Sequence, residues 1–221
     1  MTHAPPPFRA VIFDMDGVVT DSEPAFYAAI NDILARYGKH IDIDDYRPFI
    51  GGATPVVWAA LIEKFSLPVA LDEVLRQYEE PLAVRLREPR PALPGARELI
   101  ELLRSSGVPV GLCTASYAHW VEAVLGSVGL TGMFDAISSA DLVERTKPDP
   151  EPYELAARML GVPPSACVVV EDSVSGVASA LRAGACVVQL RATDMAAPPV
   201  DGVARVIASL SEFPLELVLP A

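Results

Sequence analysis

The chain is poor in cysteine and has no long apolar run. Its three cysteines, Cys113, Cys167 and Cys186, lie in or beside apolar segments without metal-ligand spacing, so we expect buried free thiols rather than disulfides or a zinc site. No stretch approaches the roughly 18 uninterrupted apolar residues of a membrane span. Residues 1–7 lack the charged start and apolar centre of a signal peptide. We therefore expect a cytoplasmic protein that has no membrane partner.

Positive charge is also scarce. The 221 residues include 17 Lys and Arg against 29 Asp and Glu, a formal net charge of -12, which argues against nucleic acid and anionic membranes as partners. A chain of this length that is 51% hydrophobic can bury one sizeable core, or a core with a smaller inserted domain. We expect a monomer or a weak homodimer.

Two carboxylates close the first apolar run. Asp14 and Asp16 follow the segment 10–13 two residues apart, and alternation along a strand would point both to the same side. Gly17 then lets the chain turn away and leaves both groups at an exposed strand end. Buried acids must be paired or bound to metal. An ordinary acidic turn is the structural alternative, but this pattern favours a site in which one carboxylate attacks phosphorus and the other moves protons.

Three later segments add compatible chemistry in order along the chain. The apolar run 108–113 ends in Thr114-Ala115-Ser116, Lys147 precedes a proline-initiated helix, and the run 167–170 ends in Glu171-Asp172. Taken alone, the first of these is more often a helix cap than a phosphate site, and an isolated lysine is usually just solvated. Two adjacent acids repel each other unless a cation lies between them.

Together these segments resemble the haloacid dehalogenase superfamily, in the subgroup of β-phosphoglucomutase, phosphoglycolate phosphatase and related sugar-phosphate phosphatases. The resemblance covers nearly the whole chain. It implies that Asp14 is the nucleophile that forms an aspartyl-phosphate and that Asp16 is the general acid and base. Mg²⁺ would be held by the side chains of Asp14 and Asp172 and the backbone carbonyl of Asp16, since hard oxygen ligands suit this ion.

The remaining site residues are assigned by the same resemblance. Thr114, the backbone N–H of Ala115, and Ser116 would bind the phosphoryl group at the start of a helix. Lys147 would hold the nucleophile and the phosphoryl oxygens by charge, and Glu171 would contact the metal through water. Ser173 is expected to cap the following helix or to order the loop.

Apolar periodicity predicts strands alternating with helices, and hence a Rossmann-like parallel sheet with helices on both faces. The predicted strands are 9–13, 108–113, 134–137, 167–170, 186–190 and, more weakly, 204–207. The predicted helices of the core are 95–106, 117–128, 151–160 and 174–183. Ligands of such sheets collect at the carboxyl ends of the strands.

A helical insertion follows the first strand. Apolar residues recur at helical spacing over 24–37, 54–65 and 71–86, separated by breaks at Pro48, Gly51-Gly52 and Pro68. We predict a cap domain over residues 21–91 and a core domain over 1–20 and 92–221, joined through a stiff proline-rich linker. The proline-rich amino terminus is expected to be a flexible tail.

Two positions in the cap depart from the mutase pattern. β-Phosphoglucomutases carry a histidine where this chain has Phe26, and an arginine where it has Pro55. A mutase needs cap cations to hold the non-reacting phosphate of its substrate, so we expect hydrolysis of a small phosphorylated metabolite, with sugar and polyol phosphates as candidates. The alternatives are a phosphoglucomutase in which Arg47 supplies the charge, and a binding module that has lost activity.

Overall fold

The computed structural model describes residues 7–194 and 196–220. Within them six strands form one sheet in the order β3-β2-β1-β4-β5-β6, and all neighbouring strands are parallel. The strands are β1 Ala10–Phe13, β2 Val110–Cys113, β3 Ala136–Ser138, β4 Cys167–Glu171, β5 Cys186–Leu190 and β6 Arg205–Ile207.

Eight α-helices occur in the same described part of the chain. They are α1 Glu23–Arg36, α2 Ile43–Tyr46, α3 Thr54–Phe65, α4 Leu71–Arg87, α5 Ala96–Ser105, α6 Ala118–Ser127, α7 Glu151–Met159 and α8 Val174–Arg182. The first four lie between β1 and α5 in the sequence, and the other four alternate with the strands or directly precede one.

The central strand β1 is buried on both faces. Its alternate side chains, Val11 and Phe13 on one face and Ala10 and Ile12 on the other, belong to two separate apolar clusters, as a period of two requires. Helices α7 and α8 contribute to the second cluster, whereas α5, α6 and the helices α1–α4 share the first. The sheet is therefore covered by helices on both sides, which is the Rossmann-like α/β fold predicted from the sequence.

The elements lie close to where periodicity places them, with small differences at their ends. Strand β2 begins two residues later than expected because Pro109 has no N–H to donate to a ladder. Strand β3 is shifted to 136–138, since these are the residues that pair with β2. The short helix α2 has no counterpart in the prediction. Helix α4 continues through Pro81.

One expectation about the cysteines is wrong. Cys113 and Cys167 are buried free thiols, but Cys186 is only partly buried, because it is the first residue of β5 and lies where the strand enters from a loop. Residues 1–6 of the expected flexible tail lie outside the described residues. Among the described helices, none combines the length and the apolar character needed to cross a membrane.

Candidate active site

Three adjacent strands bring the predicted site residues together. Strands β2, β1 and β4 are neighbours in the parallel sheet, so their carboxyl ends meet at one edge. Asp14 follows β1 directly, Thr114 follows β2, and Asp172 follows β4. The backbone N–H of Asp14 still donates to the carbonyl of Val170, at 2.9 Å. The sheet ladder thus sets the spacing between the two acidic segments.

Lys147 lies between these segments. Its Nζ is 2.5 Å from Asp14 Oδ1, 2.6 Å from Glu171 Oε1 and 3.1 Å from the carbonyl oxygen of Cys113. The side chain is only 4% exposed. Burial alone would lower the pKa of Lys147, but the Asp14 and Glu171 carboxylates raise it well above 10.5. The raised pKa favours the charged ammonium, which donates to all three acceptors.

Glu171 is fully buried and surrounded by donors. In addition to Lys147, its carboxylate accepts hydrogen bonds from Tyr153 Oη at 2.7 Å, from the backbone N–H of Asp172 and from the N–H and hydroxyl of Ser173. Burial opposes its ionisation, yet Lys147 and the other donors keep the pKa of Glu171 below its usual value. Glu171 therefore holds the Lys147 ammonium in position.

Ser173 has both expected roles. Its hydroxyl oxygen accepts a hydrogen bond from the N–H of Gly176 at 3.0 Å and so caps α8. The same hydroxyl donates to Glu171 Oε2 at 3.0 Å. The cap therefore also orders the loop that carries the second acidic pair.

A cation is needed to balance the acids. Asp14, Glu171 and Asp172 each place a carboxylate oxygen within 4.8 Å of the others, whereas the Lys147 ammonium forms ion pairs with Asp14 and Glu171. Burial first, and then repulsion by Glu171 and Asp14, raises the pKa of Asp172 well above 3.8. Burial likewise raises that of Asp14 despite Lys147. This set of buried hard oxygen donors fits Mg²⁺.

Asp16 is held by three hydroxyl groups. Ser22 donates to Oδ1, while Ser116 and Thr114 donate to Oδ2 at 3.2 and 3.3 Å. Burial raises the pKa of Asp16 in spite of these bonds, which favours the protonated form of the acid. Its side chain still reaches the open space of the site, because Asp16 lines a small cavity together with Asp14 and Lys147.

That cavity brings most of the predicted site residues together. It measures about 20 Å³ and is lined by Asp14, Asp16, Ala115, Lys147 and Asp172, with Glu23, Ile50, Gly51 and Ser173. Thr114 and Ser116 do not line this cavity, but both hydroxyls bond to Asp16, which does. Glu171 lies behind Lys147, away from the lining. The lysine and backbone N–H groups of this cavity can donate to phosphoryl oxygens, and its carboxylates can bind a metal ion.

The sequence profile of the haloacid dehalogenase-like hydrolases matches residues 8–184, a span that includes every residue of this cavity. The chain belongs to this family. The match agrees with the resemblance carried by the four segments around Asp14, Thr114, Lys147 and Asp172.

Two curated relatives show where this haloacid dehalogenase-like hydrolase lies within the family. Hexitol phosphatase B of Escherichia coli (strain K12) is 38% identical over 171 residues, 76% of each chain. Fructose-1-phosphate phosphatase YqaB of the same strain is 32% identical over 186 residues, 83% of this chain and 97% of the relative. Both names describe phosphatases of small phosphorylated carbohydrates.

The fold of this hydrolase is similar to that of a mutase as well. The crystal structure of β-phosphoglucomutase from Clostridium difficile superposes with a TM-score of 0.83 at 25% identity, covering 95% of this chain and 94% of that one. The architecture is thus common to hydrolases and mutases. Only the residues that face the substrate can separate these two activities.

Sequence reasoning about this hydrolase missed two buried site residues. Glu23, at the start of α1, is 6% exposed; it accepts hydrogen bonds from Tyr46 Oη at 2.9 Å and from the N–H of Gly51 at 3.3 Å. Burial, and secondarily Asp16, raises its pKa to about 7. Tyr153 supports Glu171 from α7. An acid directly before Pro24 resembles an ordinary helix start, so no local pattern distinguishes Glu23.

Proposed function

We propose that this hydrolase is a Mg²⁺-dependent phosphatase of small phosphorylated metabolites, acting through an aspartyl-phosphate on Asp14. The observation that carries the proposal is the buried contact of Lys147 with Asp14 and Glu171, at 2.5 and 2.6 Å, beside Asp172. The family and the phosphatase names of its curated relatives support the same class of enzyme. Their names make sugar and polyol phosphates the substrate class.

Asp14 is the nucleophile in this proposal. One of its carboxylate oxygens attacks phosphorus, the bond from phosphorus to the ester oxygen breaks, and the leaving alkoxide departs with the electron pair. Lys147 bonds Oδ1 of Asp14, which orients the carboxylate and leaves the other oxygen for the attack. Its charge also offsets that of the transferring phosphoryl group.

Asp16 moves the proton in both steps. Its raised pKa favours the protonated form, which can donate to the leaving alkoxide. The resulting carboxylate then takes a proton from water, the water oxygen attacks phosphorus, and the bond from Asp14 to phosphorus breaks. Phosphate leaves, and both aspartates return to their starting state.

The metal is assigned to the acids at the ends of β1 and β4. Asp14 and Asp172 would hold it through their side chains and Asp16 through its carbonyl, with Glu171 as a contact through water. When bound, Mg²⁺ neutralises charge on the nucleophile and the phosphoryl group. The N–H of Ala115 would bind a remaining phosphoryl oxygen, and Thr114 and Ser116 would bind the others once their hydroxyls turn from Asp16. We also assign residues 21–91 to a cap domain that closes over this site.

The contacts in the cap argue for hydrolysis rather than phosphoglucomutase activity. Phe26 lines a second cavity, which adjoins the phosphoryl site and shares Asp16, Glu23, Gly51 and Ala115 with it. An apolar ring there cannot hold a second phosphate. Arg47 donates to the Asp44 carboxylate and to the backbone carbonyl of Asp194 at 2.9 Å. These bonds tie it to the cap and to the loop after β5. A silent binding module is disfavoured by the complete acidic set around Lys147.

The test is a comparison of two products from one reaction. With Mg²⁺, a hexose 1-phosphate and a catalytic amount of hexose 1,6-bisphosphate, the purified protein should release inorganic phosphate. Phosphate is measured colorimetrically and the 6-phosphate isomer by coupled oxidation. Accumulation of the isomer with negligible phosphate would establish the mutase, whereas no reaction with any phosphate monoester would favour the silent module.

A further inference from the structure

A second cavity adjoins the phosphoryl site under the helices α1–α4. It measures about 40 Å³, more than the roughly 10–15 Å³ that one water needs, so it admits several non-hydrogen atoms. Asp16, Glu23, Gly51 and Ala115 line both cavities. A leaving group joined to phosphorus at the first cavity therefore extends into the second.

The lining of this second cavity is acidic and aromatic. Asp16 and Glu23 contribute carboxylates, Phe26, Tyr46, Trp58 and Tyr78 contribute rings, and none of its lining residues is Lys, Arg or His. A second phosphate or a carboxylate on the leaving group would find no cation there to pair with. The cavity thus favours an uncharged leaving group.

Trp58 supplies a donor that the protein leaves unused. Its side chain is fully buried, and its Nε1 has no hydrogen-bond partner among the described residues. Buried polar groups are nearly always hydrogen-bonded, so an unpaired indole N–H in a ligand cavity indicates that an acceptor arrives with the ligand. An edge contact with Tyr78, with ring centroids 5.3 Å apart, holds the indole in place.

Glu23 supplies the complementary acceptor. Its carboxylate receives one bond at Oε2 from Tyr46 and one at Oε1 from Gly51, and a carboxylate has about four lone-pair sites. Acceptor capacity therefore remains on a side chain that is already oriented by two donors. Glu23 lines both cavities, which places it beside the first carbons of the leaving group.

We propose that Glu23 and Trp58 select a neutral, polyhydroxylated leaving group, in which one hydroxyl donates to the Glu23 carboxylate and another accepts from Trp58 Nε1. The aromatic rings pack on the carbon chain between these hydroxyls. This inference rests on the proposed phosphatase function and specifies its substrate as a sugar or polyol monophosphate. Bisphosphates and phosphorylated carboxylic acids are disfavoured, because the lining of the second cavity offers no cation to a second anionic group.

Steady-state kinetics on three substrates test this selection. Sorbitol 6-phosphate carries hydroxyls, phenyl phosphate carries none, and fructose 1,6-bisphosphate carries a second charge. Glu23→Ala and Trp58→Phe should lower kcat/KM for sorbitol 6-phosphate roughly 10- to 100-fold, because a site built to bind hydroxyls loses its partner. Their kcat/KM for phenyl phosphate should fall by a smaller factor, so the ratio of the two kcat/KM values should drop.

Matched controls are available in two other helices, α4 and α6. Trp120 is a buried indole whose Nε1 is already bonded to Glu79, at 3.0 Å, and neither residue lines the cavity. Trp120→Phe and Glu79→Gln should leave the ratio of the two kcat/KM values unchanged. Glu23→Gln keeps a hydrogen-bonding side chain but removes the charge, so it should raise kcat/KM for the bisphosphate relative to wild type. Thermal unfolding checks that each variant is folded.

The outcomes separate this inference from the phosphatase proposal. An equal fall on sorbitol 6-phosphate and phenyl phosphate would overturn the selection and make Glu23 and Trp58 structural residues. If the wild-type enzyme hydrolyses none of these three and no other phosphate monoester, the phosphatase proposal fails, and the selection is then tested by binding. Calorimetric titration of sorbitol 6-phosphate into wild type and Glu23→Ala with Mg²⁺ should show weaker binding by the variant; equal or absent binding by both would overturn it.

Discussion

Lys147 connects two acidic segments that are far apart in the sequence. Its ammonium is within hydrogen-bond distance of Asp14 and Glu171, so one charge orients the proposed nucleophile and is itself held by the second acidic pair. Glu171 in turn is fixed by Tyr153 and by backbone donors. The position of the nucleophile therefore depends on residues that do not touch the substrate.

The two aspartates after β1 should respond differently to loss of charge. Asp14→Asn should abolish turnover, because the amide is not a nucleophile, and Asp16→Asn should lose at least the roughly 10²-fold that acid-base catalysis contributes. Asn is nearly isosteric with Asp, so both variants should fold. Phosphate release measures turnover, and circular dichroism checks the fold. Near-wild-type turnover by either variant would contradict its assigned role.

Glu23 should make the stability of the protein depend on pH. Its pKa is about 7 in the folded chain against an ordinary 4.5. Between these values the native state keeps a proton that the unfolded state releases, so the free energy of unfolding falls as pH rises. The effect is absent below pH 4.5 and complete above pH 7, and it amounts to about 3 kcal/mol.

The matched variant for this effect is Glu23→Gln, which cannot ionise. Urea unfolding of both proteins in EDTA, from about pH 4 to pH 8, gives the difference in their free energies of unfolding. Wild type should lose stability relative to the variant as the pH rises, over the window set by the two pKa values. A difference that stays constant with pH would show that Glu23 ionises at its ordinary pKa.

Among the elements, α8 is the one whose start shapes the site. Gly176 lies in its first turn, and a Cβ built there would come within 1.6 Å of Glu171 Oε1. The helix backbone occupies this space only because the residue is glycine. Because Gly176 has no side chain, the Ser173 hydroxyl can bond both the N–H of Gly176 and the carboxylate of Glu171.

Gly176→Ala should therefore displace Glu171 and, with it, Lys147. We expect a loss of about 1–3 kcal/mol of stability from overpacking and a fall in kcat that can reach roughly 10²-fold for a misplacement near 1 Å. The control is Gly126→Ala in α6, where a Cβ meets nothing within 4 Å and alanine should be neutral or stabilising. Equal behaviour of the two variants in thermal unfolding and phosphate release would refute the link.

For the whole molecule, the net charge of -12 coexists with a proposed anionic substrate. The structure groups three buried carboxylates at the site, and Lys147 pairs with two of them, so an anionic substrate needs further positive charge there. Without a divalent ion these carboxylates repel one another. Binding of Mg²⁺ should thus stabilise the entire fold through mass action.

Thermal unfolding with and without Mg²⁺ measures this coupling. At a free concentration 100 times Kd the gain should be about 2.7 kcal/mol, and Asp172→Asn should lose most of the shift in Tm. Asp42→Asn is the control, because the side chain of Asp42 is exposed and is not among the grouped carboxylates of the site. The quantity compared is the change in Tm that Mg²⁺ causes in each variant, since removing a repelled charge changes the Tm of the metal-free protein by itself. A full shift in Asp172→Asn would reject it as a metal ligand.

The sequence by itself determined the sheet, the alternation of strands and helices, and the acids at the strand ends. These features are local: β1 is an uninterrupted apolar run, Asp14 and Asp16 share a side through a period of two, and Ser173 caps α8 through a bond only three residues long. The geometry of each of these features depends only on residues that are close in the sequence. They were also specific enough to indicate the family before any contact was known.

Only the tertiary structure decided which side chains meet across the site. Asp14, Cys113 and Glu171 come together because β1, β2 and β4 are adjacent in the sheet, and the loop before α7 brings Lys147 into contact with all three; no local pattern encodes this. Glu23 looks like an ordinary acid at a helix start, yet folding buries it against Tyr46 and opposite Trp58. Burial and unpaired donors arise from packing between distant segments, so the substrate-facing residues emerge only when the chain is folded.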